Sequence, residues 1–414
     1  MSETHALDRE QIRQLFDLRS SYNQGMGGDF TTDPYPIWRE LRETGPVHKG
    51  TVHKLTGYPG EAFFQGLPEP DRPHYSAFGY AALDAAYRNN VVFASAPEEV
   101  DPAGGAGVAN SLLNMGGEQH RRYRALVQRS FVPGRTGWWI DNWIEDTVQG
   151  LIDGFIDDGH AELNVDFCAA IPVLTITGSF GIPVAEALEV RRIMHDPVEI
   201  VRRLEPIVAA RRREPQDDLI SVLVAAELAE PDGSSHRLSD AEIYSFAILL
   251  LLAGSGTTWK QMGITLTALL QRPALLEQVR ADRSLLRPVI EEALRWMPTD
   301  PMFSRYVTTD TDFFGTLLPA GAVLHLCLGA ANRDPQRWER PDEFDITRKL
   351  RASFAFGGGV HTCLGMHLAR AEISTGIAAL LDRLPDLRLN PDVEPPRFIG
   401  MYERGVTEIP VLFG

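Results

Sequence analysis

Phe356-Gly357-Gly358-Gly359-Val360-His361-Thr362-Cys363-Leu364-Gly365 is the stretch on which the reading of this chain turns. Three consecutive glycines permit backbone geometries and close approaches that side chains would forbid. The cysteine stands just before a helix-forming run from about Leu364 to Leu384, where N-terminal backbone dipoles favour a thiolate. Taken alone, such a cysteine is as readily a buried structural residue, since free cysteines are usually buried. A phosphate-binding loop would need the Lys-Ser/Thr ending of a Walker motif, which is absent. Residues 48–110 mix short β-like stretches with Gly/Pro-rich connections, and 302–330 read as short strands around the turn Pro319-Ala320-Gly321. Ahead of the loop, residues 332–359 read as irregular chain. A long structureless stretch counts against an assignment unless it is functional, and here it delivers the chain to a cysteine.

Phe, Gly, a basic residue, Cys and Gly in this order resemble the haem-binding loop of the cytochrome P-450 family. The resemblance implies that Cys363 ligates haem iron, with Phe356, Gly357 and Gly365 around it and His361 reaching a haem propionate. A thiolate ligand pushes electron density onto the iron and favours O–O cleavage. Cys168 and Cys327 lie outside such a loop and read as core residues.

Further segments follow in the family's order. Ser239-Asp240-Ala241-Glu242 is a capping box opening a helix to about Gln271, long enough to cross a large domain. In its middle Ala253-Gly254-Ser255-Gly256-Thr257-Thr258 resembles the family's oxygen-activating segment at Ala253, Gly254, Thr257 and Thr258. Two interior glycines cost about 1 kcal/mol each against Ala, so close approach is expected, by a flat cofactor or by another helix. The segment departs from the family at Gly256, where an acid is usual. Protons must then come by another chain of groups, with Ser255 a candidate and Thr257 and Thr258 the retained hydroxyls. Lys260, one turn after Gly256, is expected on a different face.

Glu292 and Arg295 stand three apart on one helix face, which alone describes an ordinary intrahelical pair worth about 0.2–0.5 kcal/mol. The resemblance makes them the lock on the segment before the cysteine loop, with Arg348 a weaker third member. It also makes His120, Arg124 and Arg305 propionate contacts. Arg121, Arg122 and Arg129 add charge to the helix of His120, a face suited to an acidic ferredoxin.

The pocket implied by resemblance draws on Leu250, Ala253, Met302, Phe303, Met401 and Tyr402, mostly apolar as ligand pockets usually are. Between Pro183 and Arg211 the chain looks too short for the two helices that usually form a lid. Residues 49–80, in turn, look longer than usual.

At 414 residues, 44% hydrophobic and 23% charged, the chain can bury a substantial core. A net charge of −16 argues against broad nucleic-acid binding but leaves room for a local basic patch. Three cysteines make no disulfide framework, so a reducing cytoplasm is expected. The longest apolar run, Phe246–Ala253, is far short of the ~20 residues that cross a bilayer. No membrane association is expected. Residues 1–30 read as a polar, partly ordered lead-in.

The expected fold is therefore mainly α with small β-sheets: one cytochrome P-450 domain over residues 1–414, shaped as a triangular prism. Haem b would lie between the long central helix and the Cys-loop helix. The implied reaction inserts one oxygen atom from O2 into an apolar organic substrate, by hydroxylation or oxidative demethylation. Electrons would come from NAD(P)H through ferredoxin reductase and ferredoxin. Two alternatives stay open: a peroxide-driven peroxygenase, for which the acid at 256 is dispensable, and a haem-thiolate protein without turnover.

Overall fold

The computed structural model describes residues 9–16, 27–63, 67–229 and 233–414. Its axis is the helix Asp240–Leu270. The Ser239 hydroxyl accepts from the Glu242 amide while the Glu242 carboxylate accepts from the Ser239 amide, the reciprocal cap expected from the sequence. The helix is apolar on nearly every side, and such helices are buried rather than amphipathic. It is long and apolar enough to cross a membrane, yet most of its apolar window is enclosed by the fold. Around it stand helices Gly117–Gln128, Ala170–Gly178, Leu286–Trp296 and Met366–Arg383.

A five-stranded sheet lies to one side, in the order Val47–Lys49, His74–Ala77, Val323–Cys327, Met302–Val307, Phe93–Ala94. One pairing is parallel, His74 beside Val323, and the rest are antiparallel. Strands 302–307 and 323–327 flank the turn at Pro319-Ala320-Gly321, as the sequence suggests. A three-stranded sheet joins His160–Glu162 to the C-terminal Pro410–Leu412, and the hairpin Phe398–Ile399 with Gly405–Val406 points a tight turn at the central helix. The expected α-rich architecture with small sheets is the one adopted.

Three expectations need correction. The 48–110 region, read as strands and turns, also holds helices Val52–Thr56 and Tyr80–Arg88. The polar lead-in contains a packed helix, Arg9–Leu15, followed by Phe16, while residues 1–8 and 17–26 lie outside the described part. Ile12 and Phe16 are buried, and Phe16 meets Trp259 of the central helix edge-on at 5.5 Å. Arg9 and Arg13 clamp the buried Asp166 carboxylate at 2.6 and 2.7 Å. Burial pushes that carboxyl up, but the two arginines outweigh it and hold its pKa below the usual range.

The third correction concerns the lid. Both helices exist, Val184–Ile193 and Pro197–Arg213, joined by only three residues. Asp196 caps the second helix through the amides of Val198 and Glu199, and Pro197 supplies its first residue. An N-cap followed by Pro is a strong start signal, and it lets the link be this short.

Candidate functional site

The cysteine loop is closed by the Cys363 amide donating to the Phe356 carbonyl at 2.9 Å. Gly357 and Gly359 sit at φ +67° and +66°, where a side chain is strained, and a Cβ on Gly358 would stand 2.9 Å from the Tyr87 ring. The close approach that these glycines allow is thus to Tyr87. A Cβ on Gly365, by contrast, would meet nothing within 4 Å. Phe356 lies under the Arg370 guanidinium at 4.5 Å from its ring centre.

Cys363 keeps accessible surface although its surroundings are protein, so its sulfur faces an internal space. Burial raises its pKa above that of an ordinary thiol, outweighing the Gly365 amide that lowers it. The helix-end dipoles therefore do not make a thiolate unaided. A metal cation at the sulfur would, because a coordinated thiol is deprotonated outright. Cys168 and Cys327 are fully buried, and burial raises both thiols.

Beside the loop four basic side chains from three segments converge. The rings of His120 and His361 lie 4.0 Å apart, and His361 Nε2 is 2.6 Å from the Ser95 hydroxyl. Arg124 donates to the Thr362 carbonyl at 2.7 Å, and the buried Arg305 to the Ser304 carbonyl. Burial first, then Arg124 and Arg305, pushes His120 down to about 4. His361 is depressed further, by burial and then by His120 and both arginines. Among the described residues no carboxylate pairs with Arg124 or Arg305, and the buried Nε2 of His120 has no hydrogen-bond partner. An uncompensated buried cluster of donors asks for an anion. Two haem propionates have the charge and the acceptors it needs.

Glu292, Arg295 and Arg348 also meet. Arg295 grips Glu292 through two bonds of 2.7 and 2.8 Å and donates to the carbonyls of Asn332, Pro341 and Glu343. Arg348 adds a 3.1 Å bond to Glu292 and further bonds to the carbonyls of Glu339, Arg340 and Glu343. The irregular stretch 332–359 is thereby nailed down by buried charge-assisted bonds, which explains how it stays ordered without helix or strand.

On the central helix the accessible face holds Ala253 and, one turn on, Thr257, whose hydroxyl donates to the Ala253 carbonyl at 3.1 Å. Leu250 precedes them, nearly buried, and Thr258 is buried. Gly254 turns elsewhere: a Cβ there would meet Ile176 of helix Ala170–Gly178 at 3.8 Å. Ser255 is buried with its hydroxyl 3.9 Å from the Met194 sulfur, so it does not start a polar path.

Three expected pocket residues need correction. Met302, Met401 and Tyr402 are at most 1% exposed. A Cβ on Gly27 would meet Met401 Cβ at 2.7 Å, and the Tyr402 hydroxyl is bonded to His53 Nδ1 at 2.5 Å. Along these segments the residues with accessible surface are Asp300, Phe303 and Glu403. Lys260 also departs from expectation: it shares the face of Gly256, and its Nζ is 2.6 Å from Glu403 Oε2. Sequence reading missed Glu403 and Asp300. The signal was present in Lys260, a cation in an apolar helix with no acid one turn away, which required a carboxylate from elsewhere.

A family model for cytochrome P450, as its description reads, matches residues 189–406. The PikC cytochrome P-450 monooxygenase of Streptomyces venezuelae is 30% identical over 93% of this chain and 92% of its own length. The chain belongs to the cytochrome P-450 family. The biotin-biosynthesis cytochrome P-450 of Bacillus subtilis is 30% identical over 93% of this chain and 97% of its own. Among solved structures, the cytochrome P-450 PksS of the Bacillus subtilis bacillaene polyketide synthase superposes with TM-score 0.80 at 26% identity, covering 94% of this chain and 99% of that one. The BioI cytochrome P-450, solved with an acyl carrier protein carrying hexadec-9Z-enoic acid, gives TM-score 0.77 at 27% identity, over 92% and 98% of the two chains. This is therefore a cytochrome P-450 monooxygenase, an enzyme whose family uses haem, O2 and an organic substrate. The anion-seeking cluster and the accessible Cys363 sulfur fit that haem.

Proposed function

We propose that this protein binds haem b through Cys363 and inserts one oxygen atom from O2 into an apolar organic substrate, by hydroxylation or oxidative demethylation. The observation that carries the reading is the pairing of an accessible Cys363 with a partly buried cluster of His120, Arg124, Arg305 and His361, in which no carboxylate of the described residues pairs with either arginine and His120 Nε2 has no partner. One group satisfies both: a metal bearing two carboxylates. Gly357, Gly365 and Phe356 shape the loop around the sulfur, and Glu292, Arg295 and Arg348 hold the segment leading to it.

When bound, the haem supplies the oxidative chemistry, favoured by the electron push of a thiolate ligand. The chain's own residues do the rest. Ala253 and Thr257 form the wall opposite Cys363, and Leu250 and Phe303 extend its apolar lining. The Thr257 hydroxyl can both accept and donate a proton there. Ferredoxin, reduced from NAD(P)H by its reductase, docks on helix Gly117–Gln128 and the turn after it, at the exposed Arg121, which is paired with Glu118, and Arg129. Residues 1–414 work as one unit in the cytoplasm.

The test is the carbon monoxide difference spectrum of the reduced, haem-loaded protein, before and after Cys363→Ala. The long-wavelength Soret band that gives the family its name should appear and vanish with the sulfur. A short-wavelength band in intact protein, unchanged by the substitution, would remove the thiolate and the oxygenase reading with it. Product formed with hydrogen peroxide alone, and none with ferredoxin and NADH, would turn the reading to a peroxygenase, the alternative that Gly256 favours.

A further inference from the structure

The central helix lacks an acid at Gly256 and carries a buried lysine one turn later, and both observations lead to one carboxylate. Lys260 Nζ lies 2.6 Å from Glu403 Oε2, with the two side chains 3% and 14% exposed. A Cβ on Gly256 would stand 3.5 Å from the other oxygen, Glu403 Oε1. The Glu403 carboxylate thus lies over the helix position where the family resemblance expects an acid. It arrives there from the C-terminal hairpin, on the turn between Phe398–Ile399 and Gly405–Val406.

That turn is held firmly. Gly400 sits at φ +94°, and the buried Arg404 side chain donates back to its carbonyl at 2.5 Å. The Arg404 amide donates to the Thr299 carbonyl at 2.6 Å, while the Thr299 hydroxyl donates to the Arg404 carbonyl at 2.7 Å. The next residue, Asp300, keeps accessible surface and lies within electrostatic reach of Glu403, Lys260 and Cys363. Burial, then Glu403, raises the Asp300 pKa to about 7 against the opposing Lys260. Arg191 and His195, from the lid segment, feel the Glu403 charge as well. Glu403 is therefore within electrostatic reach of a second carboxyl, two cations and one imidazole.

We propose that Glu403 is the acid of this helix turn, delivered to it by the C-terminal hairpin, and that Lys260 is the residue that positions it. One proton moves at a time and no electron: a protonated Glu403 carboxyl gives its proton to the Thr257 oxygen as that hydroxyl releases its own into the pocket, and the Glu403 carboxylate takes a replacement from solvent. The inference rests on the oxygenase reading above.

The experiment compares wild type with Glu403→Gln, with Lys260→Met/Glu403→Gln, and with Gly256→Asp alone and combined with Glu403→Gln. Two readouts are used: the share of NAD(P)H electrons recovered in product, and the melting midpoint of the haem-free protein. Glu403→Gln keeps hydrogen bonding without a titratable proton, so coupling should fall by at least about tenfold and the solvent deuterium effect on turnover should grow. The paired replacement removes both charges, guards against misfolding, and should show the same loss. Gly256→Asp alone should lower the haem-free melting midpoint, because two carboxylates then compete for one lysine. Combined with Glu403→Gln it should restore both the midpoint and most of the coupling.

Coupling within about twofold of wild type in both variants lacking Glu403 would make it a mere pin for the hairpin and overturn the inference. Additive effects of Gly256→Asp and Glu403→Gln on the midpoint would do the same, since the two carboxylates would not share a site. Wild type without the long-wavelength Soret band, or without turnover in any donor system, would bring down the oxygenase reading and this inference together. Normal wild-type turnover with indifferent variants brings down only the inference.

Discussion

The two walls of this site are built on different principles. The Cys363 wall is a single run of chain whose special residues stand close together in sequence: three glycines, a histidine, the cysteine and a following helix. The opposite wall is assembled from parts scattered along the chain, namely Gly256 and Lys260, Asp300, and Glu403. A local motif advertises itself because its spacing is fixed by backbone geometry. A long-range constellation leaves only a debt at each position, such as a buried lysine without an acid, and the creditor must be found in space. The proximal wall therefore tolerates little change, while the distal wall can exchange its parts.

Arg295→Leu probes the first half of that contrast and should have the largest effect on folding. Arg295 is 3% exposed and satisfies Glu292 and three backbone carbonyls that belong to 332–343. Removing Arg295 strips Glu292 of its two shortest side-chain bonds and leaves it the 3.1 Å bond from Arg348, at up to about 3–5 kcal/mol, before the lost carbonyl bonds are counted. Urea denaturation should show a protein that barely folds and binds no haem. A loss below about 1 kcal/mol would mean that the stretch orders itself without the clamp.

Phe16→Ala probes the second half. The sequence suggests a polar lead-in, but the Arg9–Leu15 helix brings Phe16 against Trp259, under Arg191 at 5.1 Å from the ring centre. Arg191 belongs to the short lid helix, so the N-terminal segment packs where that helix gives out. A fully buried Phe costs about 3 kcal/mol or more on truncation to Ala. The same substitution should loosen the lid and raise KM for a bulky substrate more than it lowers kcat. Unchanged stability would return residues 9–16 to the status of a lead-in.

How far each wall was legible follows from these particulars. The capping box at Ser239, the cysteine loop and the strands around Pro319 each carry their signal within a few residues, and the structure has them where the sequence suggests. Asp196-Pro197 carried a helix start of the same local kind, and it was overlooked because the segment's length was weighed ahead of its cap. Met401 and Tyr402 failed for a deeper reason. Side chains on a tight turn point in several directions, and only packing decides which one meets the pocket. Here Tyr402 turns to His53 and Glu403 turns to the helix.

His53 gives the smallest expected effect and a different kind of test. Its ring is almost wholly buried on the Tyr402 hydroxyl, and burial, then Lys54 and His74, depresses its pKa from 6.5 to about 4. Below pH 6.5 the unfolded chain binds a proton at this ring that the folded chain refuses, so stability must fall as pH falls from 6.5 towards 4. His325, buried against Ser304 and His74 and depressed to about 3, acts in the same direction. His120 and His361 act likewise, and His53→Gln removes one of these contributors. It should therefore flatten the loss of urea stability between neutral and mildly acid solution by on the order of 1 kcal/mol, while costing little at neutral pH. If the acid loss is identical in wild type and variant, the His53 ring already takes up its proton in the folded chain. The helix Val52–Thr56 would then be a loosely held cover over the hairpin that carries Glu403, and the distal wall would be mobile rather than fixed.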